Sequence, residues 1–352
     1  MTARTYRVAV IRGDGIGPEL VDSALTVLDA VADFPIELVD VQAGAGAYRA
    51  EGSALSDAGL AVIREADATL KGPVGLPDVR QSDGTEAGLL GGILRNGLDL
   101  YANVRPITLL PGVRSALRVD DGIDYVIVRE NTEGLYASRG KGVGNDHAMT
   151  DTLLVTRAGC ERIAHFAFTL ASRRSGAPAD GVRRVTCVDK ANVLRSMYFF
   201  RSVFLEVAEQ YPDIEAECLY VDAAAQALVL APEHFDVIVT ENLFGDILSD
   251  LGGGTVGGIA LCPSGNIGDS HAYFEPIHGS APTIAGQDRA NPLGQILATA
   301  MLLDHLGERA AGDRIRGAVR AALRGGSVRL NPDGTVASGT RSTTDAVLAA
   351  LG

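Results

Sequence analysis

Tryptophan is absent from this chain of 352 residues, and lysine almost so: only Lys71, Lys141 and Lys190 stand among 31 cations, the rest being arginine. Arginine keeps its proton near neutral pH, so a lysine retained against this bias marks a place where the chemistry asks for one. Cysteine is scarce too. Cys160, Cys187, Cys218 and Cys262 form no C-x-x-C pair, which argues against a disulfide scaffold or a structural zinc site and fits a reduced compartment. Positive charge is short, with a net −13, so a general nucleic-acid footprint is excluded and anionic ligands must be met by local arginines or a metal. No apolar run approaches the ~20 residues of a membrane span, and the start MTARTYRVAVIRGDG lacks the apolar stretch of a signal peptide. A cytoplasmic enzyme is expected.

What is present is core-forming material: 46% hydrophobic against 21% charged residues, which excludes disorder as the main state. At ~150 residues per domain the length suggests about two domains. The 42 glycines promise tight turns and close backbone approaches.

Along the chain, the strand-like run Tyr6–Ile11 leads through a glycine-rich turn to a helix starting near Pro18, with Val21, Leu25 and Leu28 on one face. IELVDV, the run at Ala68–Leu70, YVIVRE, RRVTCVD, AECLYVD and FDVIVTEN read as further strands, and Ala191–Gln210 as a helix. Alternating strands and helices predict an α/β protein with a largely parallel sheet. No repeat, linker or composition shift marks a boundary, so a second domain is expected as an insertion.

Gly13-Asp14-Gly15-Ile16-Gly17-Pro18 follows a strand and opens a helix, and Asp40 lies at about the spacing of a ribose-binding acid. The dinucleotide fingerprint, however, places a glycine where Pro18 stands; a turn needing glycine conformations explains the segment equally. Asp246 and Asp250 in FGDILSD are one helical turn apart and repel each other unless a cation lies between them. Such hard oxygen donors suit Mg2+ or Mn2+, although a solvated helix face is the simpler reading. Asp222 closes the strand-like LYVD as a third carboxylate. Lys190 in VDKANVL could serve as a base beside these acids or as an ordinary ion pair. Arg95, Arg105 and Arg129 could form forks for a substrate bearing several carboxylates, and Tyr136, seven residues past Arg129, could donate a proton. The loop FEPIHGSAPTIAG with Asn291-Pro292 is rich in small residues that let an adenine and its phosphates approach the backbone.

In order, GDGIGPE, LKGP, LDLYANVRP, VRENTEGLY, DKANVL, YVDAAA, FDVIVTENLFGDILSDL, PSGNIG and HGSAP cover nearly the whole chain, and together it resembles the β-decarboxylating dehydrogenases: 3-isopropylmalate, isocitrate, homoisocitrate and tartrate dehydrogenases. The resemblance implies a fold distinct from Rossmann: two α/β domains with a central mixed sheet and a cleft between them. Residues 1–102 and 255–352 would form a large, cofactor-binding domain, and 103–254 an inserted domain carrying the metal and substrate residues and the dimer interface. It implies NAD (or NADP) and Mg2+ or Mn2+ as cofactors, and a homodimer in which Lys190 and Asp222 of one subunit complete the site of the other. By the same likeness Asp222, Asp246 and Asp250 hold the metal and Lys190 and Tyr136 are catalytic. Arg95, Arg105, Arg129, Leu89 and Leu90 bind substrate, while Glu275, His278, Gly279, Ser280, Ala281, Thr283, Asn291 and Asn192 bind the cofactor. A non-catalytic regulatory subunit, which can lose such residues, is disfavoured by the complete set.

Two departures from that pattern bear on specificity. Before Arg95 the sequence reads TEAGLLGGILR: Leu89 and Leu90 favour an apolar C3 substituent, as in isopropylmalate enzymes, but Gly91 and Gly92 lengthen the segment and remove bulk. RENTEG and LDLYANVRP lean toward isocitrate, homoisocitrate or tartrate enzymes, which leaves those substrates, or a specialised malate analogue such as a phosphonomethylmalate, as alternatives. Thr283 stands where NAD-dependent relatives carry aspartate and NADP-dependent isocitrate enzymes carry lysine before tyrosine. Threonine neither repels nor neutralises a 2′-phosphate. NAD is expected because that pair is missing, although Arg341 is placed to meet a phosphate.

Overall fold

The computed structural model describes residues 4–82, 84–120 and 122–352. The chain divides into two compact units, one of residues 1–98, 110–114 and 257–352, the other of 99–109 and 115–256. The insertion is thus interrupted, since 110–114 packs with the first unit.

The first unit opens with β1 (Tyr6–Ile11), α1 (Gly17–Val31), β2 (Ile36–Asp40), α2 (Ala45–Glu51), α3 (Asp57–Glu65) and β3 (Ala68–Lys71). The second holds β4 (Ala102–Thr108), β5 (Asp124–Glu130), β6 (Val143–Asn145), β7 (Ala148–Thr150), α4 (Arg157–Ser172), β8 (Arg184–Asp189), α5 (Arg195–Ala208), β9 (Glu215–Tyr220), α6 (Val221–Leu230), β10 (Val237–Thr240) and α7 (Asn242–Thr255). The chain then returns to the first unit with β11 (Pro263–Ile267), β12 (Ala272–Pro276), α8 (Leu293–Leu306), α9 (Arg309–Arg324) and α10 (Thr340–Ala349).

In the first unit the strand order is β2-β1-β3-β12-β11, parallel except for the β11–β12 hairpin. In the second it is β4-β5-β10-β8-β9, parallel except for β4 against β5. Both are mixed α/β layers, as the sequence leads one to expect. The expected helix at Ala191–Gln210 begins only at Arg195, because Lys190 to Leu194 first closes a turn on the Lys190 carbonyl.

Periodicity accounts for the packing. α1 buries Leu20, Val21, Ala24, Val27, Leu28 and Val31, a 3.6-residue stripe, against a core that includes Val8, Val10, Leu70 and Phe274. α8 is apolar nearly all round and lies within that core, ten of its fourteen residues being buried. In the second unit Phe168 stacks on Phe204 and Tyr211 at 5.3 and 4.8 Å, which fixes α4 on α5. No described helix is long and apolar enough to cross a membrane.

The glycine-rich turn after β1 is structural. Asp14, 6% exposed, accepts the backbone N–H groups of Ala45, Gly46 and Gly75, each at 2.8 Å. Gly15 has φ +58, and a Cβ there would lie 2.1 Å from the Ser280 carbonyl oxygen. Asp40 pairs with Arg12 at 3.0 Å. The dinucleotide reading therefore fails: the segment ties loops together with a buried carboxylate.

Candidate active site

Antiparallel pairing of β4 and β5 sets Asn103 opposite Arg129, and Arg105, two residues along, shares their face. Both guanidinium groups are buried and converge on α7. Arg129 donates through Nη1 to Asp246 Oδ1 and through Nε and Nη2 to Asn242 Oδ1 at 2.9 and 2.7 Å. Arg105 Nη1 reaches Asp246 Oδ1 at 3.2 Å and Ser249 Oγ at 2.5 Å, with Asp250 Oδ1 at 4.0 Å.

α7 itself is anchored by Glu241, whose carboxylate accepts the N–H groups of Leu243 and Phe244 at 3.0 and 2.6 Å as N-cap. Gly245 admits the Arg129 stem, since a Cβ there would stand 2.6 Å from Arg129 Cγ. Tyr136 follows β5 in a single 3-10 turn and donates from its hydroxyl to Asp246 Oδ2 at 3.0 Å, with Arg129 5.5 Å from its ring centroid. Burial and the Asp246 charge push the Tyr136 phenol above its ordinary range, so it stays protonated at neutral pH. Burial raises the Asp250 carboxyl, with Asp246 adding to the rise and Arg105 opposing it.

At the β8–β9 edge of the same unit Lys190 donates to Asp222 Oδ1 at 2.7 Å, and that hydrogen bond holds the exposed Asp222 carboxyl below its ordinary range. Asn192 is exposed in the turn beyond. Among the described residues, no three His, Cys, Asp or Glu side chains of one chain gather as a metal-binding group, so a single chain does not unite Asp222 with Asp246 and Asp250. Asp246 and Asp250 still suit a hard dication. They are carboxylates held one turn apart, one with its charge disfavoured by the other, and a bound cation relieves that repulsion.

In the first unit Arg95 lies in a π-helical turn, Gly92–Asn96, a distortion often found at functional sites. It donates from Nε to the Tyr273 hydroxyl at 3.0 Å and from Nη2 to Glu275 Oε1 at 3.5 Å. Leu90 is buried at 1% and belongs to the interior; Leu89 keeps a partly exposed side chain. Lys71, 4% exposed, pairs with Glu275 Oε2. That ion pair joins one of the chain's three lysines to Glu275, and no sequence motif announces it.

A cavity of about 230 Å³ in this unit is lined by Ile16, His278, Gly279, Ala281, Asn291 and Asp333, among others. Four of these were expected at a cofactor site; Ile16, from the glycine-rich turn after β1, and Asp333 were not, and nothing in the local sequence of Asp333 singles it out. The His278 Nε2 is buried without a partner, an orphaned polar atom that a heteroaromatic ring or ribose could satisfy. Burial, with Lys71 adding to it, lowers the His278 pKa, so the ring is neutral near pH 7. The residues fit an adenosine. Ser280 is engaged elsewhere, donating to the Gly75 carbonyl at 2.5 Å, and the exposed Thr283 does not line this cavity.

Comparison with known proteins gives the family. The sequence profile of the family described as isocitrate/isopropylmalate dehydrogenase matches residues 7–347. The chain is 45% identical over 320 residues to the 3-isopropylmalate/3-methylmalate dehydrogenase of Methanocaldococcus jannaschii, covering 90% of this chain and 91% of that one. It is 44% identical over 338 residues to the 3-isopropylmalate dehydrogenase of Clavibacter michiganensis, covering 91% and 92%. The crystal structure of isocitrate dehydrogenase from Methylococcus capsulatus superposes with a TM-score of 0.87 at 39% identity, over 98% of this chain and 99% of that one. The chain belongs to the isocitrate/isopropylmalate dehydrogenase family and is a β-decarboxylating dehydrogenase.

Proposed function

We propose that this enzyme oxidatively decarboxylates a 3-substituted (2R)-malate of the 3-isopropylmalate type to a 2-oxo acid and CO2, with NAD as hydride acceptor and Mg2+ or Mn2+ bound. The observation that carries the reading is the convergence of Tyr136, Arg105 and Arg129 on Asp246, in a chain whose relatives at 44–45% identity are named for this substrate.

Asp246 and Asp250 would hold the divalent cation together with Asp222 from a second copy of the chain. Bound there, the cation would supply Lewis acidity at the 2-hydroxyl and an electron sink for the departing carboxyl, and a nicotinamide would supply the hydride acceptor. Lys190 removes the hydroxyl proton, a role open to lysine and closed to arginine. Tyr136, protonated at working pH, returns a proton to C3. Arg95, Arg105 and Arg129 orient the carboxylates, and fixing that geometry lowers the barrier. His278, Gly279, Ala281 and Asn291 would cradle the adenosine, and Glu275 and Asn192 would be further contacts of the same cofactor.

A shared-site homodimer is supported by the separation of Asp222 from the other two acids. It is supported also by apolar side chains left exposed on the second unit: Val143 at 74% and Met149 at 66% on the β6–β7 hairpin, Tyr198 on α5 and Leu230 on α6. Four free thiols support a reducing cytoplasm as its location.

For the nucleotide, Asp333 lines the adenosine cavity, and its hydrogen bonds from Thr335 keep it charged, which disfavours a 2′-phosphate. Initial rates with the two dinucleotides decide this point, and about a hundredfold preference for NADP overturns it. The π-turn opened by Gly91 and Gly92 supports a second reading, in which the C3 pocket takes a different or larger group. Screening 3-substituted malates (isopropyl, carboxymethyl, carboxyethyl, hydroxyl, phosphonomethyl) for reduced-nicotinamide absorbance separates the two, and inertness toward the whole panel refutes both.

A further inference from the structure

Two of the four cysteines face each other across neighbouring strands. β8 and β9 run parallel in register with Cys187 beside Cys218, and parallel partners project to the same face of a sheet. Strand spacing of about 4.8 Å lies inside the roughly 4.4–6.8 Å Cα separation that a disulfide accepts. Cys187 is fully buried, whereas Cys218 is partly exposed on β9, an edge strand.

The surroundings favour reaction at Cys218. Two residues along each strand, Asp189 and Tyr220 share the face of the thiols, and Arg201 of α5 covers both. Its Nε and Nη2 lie 2.7 and 2.9 Å from the Asp189 carboxylate and its guanidinium 4.9 Å from the Tyr220 ring centroid. The adjacent Cys187 thiol, with Arg201 assisting, lowers the Cys218 pKa, while burial raises that of Cys187, whose S–H donates to Asp189 Oδ2 at 3.7 Å. Cys160, by contrast, is a buried thiol pushed up to about 12 by desolvation and is correspondingly inert.

Position along the chain gives the pair a consequence. β8 ends at Asp189 and runs directly into Lys190, and β9 ends at Tyr220 two residues before Asp222; these are the groups joined at 2.7 Å.

We propose that Cys187 and Cys218 are a reversible disulfide-forming pair, with peroxide as the oxidant, and that closing the bond impairs turnover by fixing the strand ends that carry Lys190 and Asp222. The Cys218 thiolate attacks a peroxide oxygen and the O–O bond breaks, giving a sulfenic acid and, with one proton, water. The Cys187 sulfur then attacks the sulfenyl sulfur. An S–S bond forms, the S–O bond breaks, and the hydroxyl leaves with the thiol proton as a second water. The two thiols lose two electrons and hydrogen peroxide gains them; a dithiol reverses the oxidation by exchange. The effect on turnover rests on the roles given to Lys190 and Asp222 above, but bond formation does not.

The test is peptide mapping without reduction, on full-length protein reduced, desalted and treated with equimolar hydrogen peroxide. The expected product is a cross-link between the Cys187 and Cys218 peptides, lighter by the two thiol hydrogens and reversed by dithiothreitol. It should persist in a Cys160→Ser, Cys262→Ser variant and vanish in Cys218→Ser and in Cys187→Ala. Turnover should fall roughly tenfold or more as the cross-link accumulates and return on reduction, while either single variant keeps its turnover under the same peroxide. Sulfinic acid on Cys218 with Cys187 still alkylatable overturns the pairing. A cross-link that leaves turnover unchanged overturns its control of the strand ends. Should the reduced enzyme be inert toward all 3-substituted malates, the proposed reaction fails, and the peptide map still decides whether the bond forms.

Discussion

Asp246 receives more polar contacts than any sequence motif could announce: a buried Arg129, a buried Arg105 and the Tyr136 hydroxyl meet on one carboxylate. That arrangement keeps three cationic or donor groups poised while their charge is balanced, and it ties the fate of each to its neighbour. Replacing Tyr136 by Phe removes only the hydroxyl, so turnover should drop by about 10²–10⁴-fold with the substrate KM and the unfolding midpoint little changed; steady-state kinetics and a thermal melt check this, and wild-type turnover would remove Tyr136 from the chemistry. Much of VRENTEGLY, by contrast, is structural. Glu130 accepts the backbone N–H groups of Thr132 and Glu133, and the Asn131 amide donates to the Leu100 carbonyl. Sequence reading could locate that segment but could not divide its residues between reaction and scaffold, because the division depends on which side chains face α7.

Among the elements, the turn after β1 shows how one carboxylate organises distant backbone. Asp14 serves three N–H groups from two other segments, so Asp14→Ala leaves three donors unmet, those of Ala45 and Gly75 buried. A loss of roughly 3–5 kcal/mol is expected from chemical denaturation, and a loss under 1 kcal/mol would mean that water replaces the carboxylate at little cost. α8 carries a pH response. Burial lowers the pKa of His305, whose ring lies 5.6 Å from that of Phe274. The folded state therefore binds this proton less readily than the unfolded chain. Stability is present above the unfolded value near 6.5 and is lost as the pH falls through the lower folded value. The melting temperature should decline on acidification from about pH 7.5 to 5.5, and decline less in His305→Phe; equal declines in both proteins would assign the effect to other groups.

For the molecule as a whole, the decisive question is whether one copy supplies Lys190 and Asp222 to the Asp246 and Asp250 of another. Lys190→Met and Asp246→Asn should each be nearly inactive alone. In a mixed, subunit-exchanged sample, half the dimers are hybrids and each hybrid contains one intact site, so about a quarter of wild-type activity should return. A mixture as inactive as its parents, with exchange verified by mass, would place each site within one chain. Stripping divalent ions with a chelator should abolish turnover and Mg2+ should restore it; undiminished turnover would reject the metal. The sequence by itself determined the alternation of strands and helices, the amphipathic stripe of α1 and the spacing of Asp246 and Asp250, because these follow from periods of two and 3.6 residues along a continuous stretch. It also carried the family, through long motifs in fixed order. Only the tertiary structure decided that Asp14 is a structural clamp, that Leu90 is buried beside a π-turn, that Lys71 neutralises Glu275, and that Cys187 meets Cys218. Those facts rest on through-space packing and pairing, where burial and strand register, not local pattern, set the energy.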